Sequence, residues 1–95
     1  MKYIITESHV KSLIKVYHNL MNSEKYDGVC EIMVDYDEMF DKFVLNMFFN
    51  REYLINLNTG SKQTSYLRKM VDEIGNKFLL FTGKTPLIYQ HYDNC

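Results

Sequence analysis

From Val10 onward, apolar side chains return at intervals of three and four residues: Val10, Leu13, Ile14, Tyr17, Leu20 and Met21 fall on one stripe, with Lys11, Ser12, Lys15 and Asn19 largely opposite. That period predicts an amphipathic helix, and Thr6 ahead of it suits an N-cap. The stripe stops at Asn22 and Ser23, and the polar, glycine-containing stretch from Glu24 to Gly28 predicts a loop. From Val29 the period falls to two. Cys30, Ile32, Val34 and Tyr36 alternate with Glu31 and Asp35, the signature of a half-buried strand. Asp37 and Glu38 open a turn. Phe43, Leu45, Met47 and Phe49 then alternate with Lys42, Val44, Asn46, Phe48 and Asn50, which predicts the second arm of an antiparallel hairpin. Phe40, Phe43, Val44, Met47 and Phe48 would also form a helical stripe; the turn acids before this run and its Phe and Val content favour strand.

Asn50 to Gly60 stays open, because Tyr53, Ile55 and Leu57 suit either a continued strand or an irregular turn. After Thr59-Gly60-Ser61 a second amphipathic helix is predicted, with Leu67, Met70, Val71, Ile74, Phe78 and Phe81 on one face and Gly83 as its C-terminal cap. Arg68 with Asp72 and Lys69 with Glu73 supply i,i+4 pairs on the other face. Pro86 begins a last extended segment, Leu87 to Tyr92, and Lys2-Tyr3-Ile4-Ile5 is a short β-prone run at the start. The order is then β-α-β-β-α-β, an α+β fold with two helices on one face of a small antiparallel sheet, the ferredoxin-like arrangement. If Tyr3 to Ile5 does not pair, it becomes αββαβ with a three-stranded sheet. No repeat or linker divides the chain, so residues 1–95 are expected to form a single domain.

Composition changes this picture little. Of 95 residues, 46% are hydrophobic and 15% aromatic, from eight Tyr and six Phe without Trp, so large rings supply the core volume. Alanine is absent and Arg51 and Arg68 are the only arginines, a bias that an AT-rich genome explains without any binding surface. A formal net charge of −1 gives no general field for nucleic acid or anionic membrane. The longest apolar runs, among them Phe78-Leu79-Leu80-Phe81, fall far short of the ~20 residues that cross a bilayer. The opening residues lack the pattern of a secretory signal, and Cys30 and Cys95 are the only cysteines. Two free thiols in a reducing cytoplasm are expected, with Cys30 packed on the apolar face of its strand.

Four sets of residues offer chemistry. Gly60, Ser61, Lys62 and Thr64 combine a helix start with hydroxyls and a cation, which suits an anion, although the spacing is not that of a P-loop and an ordinary capped loop accounts for the same residues. Asp35, Asp37, Glu38 and Asp41 gather carboxylates at the hairpin turn without the glycine and terminal Glu of a calcium loop, and solvated turn acids explain them. His9, His18 and His91 with the two cysteines lack the paired spacing of a zinc site. Finally, a sheet covered on one side leaves Val29, Met33, Val44 and Phe48 as a candidate interaction face on the other. The same open face could stack bases in the manner of RNA-recognition modules, yet Lys42 to Phe49 lacks their Gly-aromatic pattern.

The opening Met1-Lys2-Tyr3-Ile4-Ile5-Thr6-Glu7, followed at once by an amphipathic helix, resembles the start of short uncharacterised proteins encoded by tailed phages and environmental viral genomes, and the closing Ile88-Tyr89-Gln90-His91-Tyr92 is similar to endings in the same group. The resemblance implies a viral-type protein working in the host cell cytoplasm and carries over no activity. Together these observations predict a small accessory protein that is not an enzyme and needs no cofactor or metal. It would act as a protein-interaction or self-associating module; the alternative is an RNA- or DNA-binding module using the open sheet face or the start of the second helix.

Overall fold

The computed structural model describes residues 7–57 and 60–95, and it is an α+β fold: a three-stranded sheet with helices packed against it. The elements are α1 (Glu7–Met21), β1 (Val29–Asp37), β2 (Lys42–Asn50), a short α2 (Arg51–Ile55), α3 (Gly60–Thr82) and β3 (Leu87–Asp93). The run from Lys2 to Ile5, the Thr6 cap, and Asn58 and Thr59 lie outside the described residues. Apart from the short α2, the described order is the αββαβ of the three-stranded alternative.

The hairpin expectation holds. β1 and β2 pair antiparallel from Glu31↔Phe48 to Asp37↔Lys42. β3 departs from expectation, because it pairs with β2 in parallel, from Val44↔Leu87 to Asn50↔Asp93. The sheet is therefore mixed, in the order β1-β2-β3, and not wholly antiparallel. The reason lies in the connection: two strands joined through a long helix are carried back to the same end of the sheet, so they run the same way. Because β3 bonds β2 directly, no position remains between them for the first strand that the ferredoxin-like order places there.

The alternation in β2 decides the layers. Phe43, Leu45, Met47 and Phe49 are buried and face α1 and α3, where they meet Met21, Ile74 and Phe78. Tyr17 of α1 sits edge-on to Phe43 at 5.0 Å and to Phe78 at 5.3 Å between ring centroids, so one aromatic knot ties both helices to the sheet. Leu13, Ile14, Tyr17 and Leu20 all pack on this core, as the helical stripe predicts.

Two local features redirect the chain. A bulge between Val29 and Glu31 leaves Cys30 without a partner in β2. The odd-even phase of the strand therefore reverses at Cys30: Val29 packs on the core, while Cys30, expected inside, is exposed. Two residues along from Cys30, on the free edge of β1, Asn22 replaces a neighbouring strand. Its side chain donates to the Ile32 carbonyl at 2.7 Å and accepts from the Ile32 N–H at 3.0 Å, while also donating to the His18 carbonyl at 2.7 Å. This closes part of the free edge of β1 that would otherwise recruit a foreign strand. Asn22→Ala is expected to lose about 1–3 kcal/mol by stranding the Ile32 peptide groups. Urea unfolding will measure it; an unchanged midpoint would mean that water satisfies these groups equally well.

Candidate functional site

The segment from Asn50 to Gly60, open in sequence, begins with a helix. Asn50 is both the last residue of β2 and the N-cap of α2, its side-chain oxygen accepting the Tyr53 N–H at 2.8 Å. The amide nitrogen of the same side chain donates to the Cys95 carbonyl at 2.8 Å. One asparagine thus fixes α2 and the segment after β3 at the end of the central strand.

Cys30 and Cys95 meet here. They form a disulfide, with Cα atoms 6.1 Å apart and a separation of 65 in sequence, so the expectation of two free thiols is corrected. The bulge explains the pairing: it turns Cys30 out of the core and towards the chain leaving β3. The bond links the two outer strands across the end of β2. Beside it opens a cleft of about 530 Å³ bordered by Gly28, Cys30, Asn50, Glu52, Tyr53 and Cys95.

From Tyr53 at the border of this cleft an aromatic cluster runs inward. Tyr53 and Tyr66 lie 5.2 Å apart, and Tyr66 packs edge-on to Phe49 at 5.9 Å. The Tyr66 hydroxyl donates to the Asp27 carbonyl, anchoring α3 to the loop before β1. Burial, with smaller contributions from Tyr53 and Asp27, pushes the Tyr66 phenol up to about 12, so it remains a proton donor well above neutral pH.

The other candidates are placed as follows. Gly60, Ser61, Lys62 and Thr64 form the exposed first turn of α3, where the Thr64 hydroxyl donates back to the Gly60 carbonyl at 2.9 Å. That bond serves the helix itself. Asp37 accepts the N–H groups of Met39 and Phe40 at 2.9 and 3.2 Å, Asp35 accepts that of Tyr36 at 2.8 Å, and Asp41 accepts the Tyr36 hydroxyl. These carboxylates organise the hairpin turn. His18 contacts Glu31 at 3.0 Å across the edge of β1, and His91 contacts Asn46 at 2.8 Å. Among the described residues no group of three or more His, Cys, Asp or Glu is gathered to hold a metal ion.

The candidate interaction face is divided. Val29 belongs to the core side through the bulge, and Val44 is buried. Phe48 is half-buried beneath His91, their rings stacked at 4.8 Å. Met33 remains exposed, joined by Tyr89 from β3. The open face is therefore a narrow strip centred on Asn46, flanked by Asp35 and Glu31.

The larger exposed apolar area lies elsewhere. Leu80 at 80% and Met39 at 86% exposure are almost fully in solvent, with Phe40, Leu79 and Phe81 also exposed. Both groups adjoin Phe43: the hairpin turn ends at Lys42, and Phe78 and Lys84, flanking the last turn of α3, contact the Phe43 ring at 6.1 and 5.2 Å. A 23-residue helix extends roughly 34 Å and a seven-residue strand roughly 23 Å, so α3 outruns β3. Phe81, expected on the buried face, is exposed, one turn beyond the fully buried Phe78. Four consecutive apolar residues, Phe78 to Phe81, wrap most of a helical circumference, so some had to face out; that was the available signal.

Comparison with protein-family models, curated proteins and solved structures gives no match. Among the described residues no helix is long and apolar enough to cross a membrane.

Proposed function

We propose that this chain is a small accessory protein of viral type that works by binding, without chemistry of its own, as a protein-interaction or self-associating module. The observation that carries this reading is the exposure, towards one end of the sheet, of Met39 and Phe40 at the hairpin turn and of Leu79, Leu80 and Phe81 in α3. Five large apolar side chains exposed in two short runs depart from the singly scattered apolar residues that an ordinary surface carries. Burying them against another protein recovers hydrophobic free energy that folding leaves unclaimed. The open sheet strip around Met33 and Tyr89 is smaller and carries neighbouring carboxylates, which disfavours phosphate backbones.

Sedimentation over a wide concentration range tests the self-association arm. The wild-type chain is expected to gain mass with concentration, and Leu80→Glu with Phe81→Glu to hold it monomeric at unchanged helix content. A wild-type monomer at every concentration would remove self-association, and salt-sensitive retention on heparin would turn the reading towards nucleic acid.

A further inference from the structure

We propose that the Cys30–Cys95 disulfide is a reversible redox clasp that closes one side of the cleft at the end of β2 and releases it on reduction. This is independent of those exposed apolar residues and concerns a different surface. Three observations carry it.

First, both cysteines are exposed, so an external thiolate can reach either sulfur without unfolding the chain. Exposed disulfides are the ones that exchange readily; buried ones serve as inert staples. Second, Cys30 occupies the bulge, with no strand partner, so the reduced residue can move without breaking the β1–β2 ladder. Third, Cys95 stands two residues beyond β3, held besides the disulfide by the Asn50 amide on its carbonyl, and both cysteines border the cleft. Freeing it removes part of the cleft wall while the seven β2–β3 pairs from Val44 to Asn50 stay in place.

The chemistry balances as ordinary thiol-disulfide exchange. A thiolate of a dithiol reductant attacks one sulfur, breaking the S–S bond, forming a mixed disulfide and releasing the other cysteine as thiolate. The second thiol of the reductant then closes its own disulfide and expels the remaining cysteine. Two electrons and two protons pass to the protein, and the reductant leaves oxidised. Exchange with an oxidised low-molecular-weight thiol runs the cycle backwards.

Amide hydrogen exchange of the full chain, oxidised and then reduced with dithiothreitol, tests the clasp, with alkylation and mass measurement counting the thiols. A merely structural staple lowers protection everywhere the core sets it, whereas a clasp opens its own neighbourhood first. On reduction, peptides covering residues 28–30 and 90–95 are expected to exchange about tenfold faster or more, with those of α1 and α3 little changed. Cys95→Ser should show the same local pattern in either redox buffer, and reoxidation with glutathione disulfide should restore protection in the wild type. Three results would overturn the proposal: free thiols in the air-oxidised chain, no local change on reduction, or loss of protection spread equally through α1 and α3.

Discussion

Phe78→Ala is expected to lose about 3–5 kcal/mol of stability, a large share of the roughly 5–14 kcal/mol available to a chain of this length. Phe78 is fully buried and contacts the rings of Tyr17 at 5.3 Å and Phe43 at 6.1 Å. Truncating it empties the point where α1, α3 and β2 meet. Thermal unfolding should show a midpoint lowered by ~12 °C or more, since about 4 °C or more accompanies each kcal/mol in a domain this small. Leu80→Ala on the same helix is the control: at 80% exposure it should change stability by less than about 0.5 kcal/mol. Equal effects from the two would mean that α3 docks in a different rotation.

Gly28→Ala is expected to be nearly as damaging, at about 3 kcal/mol, for two separable reasons. Gly28 has φ of +82°, where a Cβ is strained, and its added Cβ would also collide with the Tyr66 hydroxyl and lie 2.7 Å from Tyr53 Cε1. Relieving that collision pushes away the tyrosine that holds the Asp27 carbonyl, and strains the bond from the Asn50 N–H to the Gly28 carbonyl at 2.8 Å. Gly83 provides the comparison, because it shares a positive φ of +72° with nothing within 4 Å of an added Cβ. Gly83→Ala should show the conformational cost alone, on the order of 1 kcal/mol. If the two substitutions cost the same in urea unfolding, the tyrosine clasp around Gly28 contributes nothing.

These residues also show how far the sequence could be read. The stripe in α1, the alternation in β2 and the face of α3 around Met70, Ile74 and Phe78 were legible, because each is a periodic pattern with one buried side. What escaped is non-periodic or non-local. The bulge at Cys30 adds one residue to a strand whose alternation looks unbroken, and this single slip moved Val29 inward and Cys30 outward. The disulfide followed from that slip and from where β3 ends, so neither cysteine announced it. The direction of β3 depends on how far α3 travels before the chain returns, which alternation within Leu87 to Tyr92 cannot encode. The exposed apolar residues of α3 could have been anticipated from Phe78 to Phe81, but Met39 and Phe40 come towards the same end of the sheet only through the hairpin.

The parallel pairing of β3 with β2 has a bearing on how the chain is made. During synthesis the hairpin can close and α1 can settle on it as soon as they emerge, since those contacts are near in sequence. The flank of β2 that receives Leu87 to Asp93 stays unsatisfied until the 36 residues from Arg51 to Pro86, and then β3 itself, have followed Asn50 out of the ribosome. At about 5–20 residues per second this leaves a nascent polypeptide with a bare, strongly apolar strand for several seconds. Chaperone capture in that interval, rather than the stability of the finished molecule, would then govern its yield.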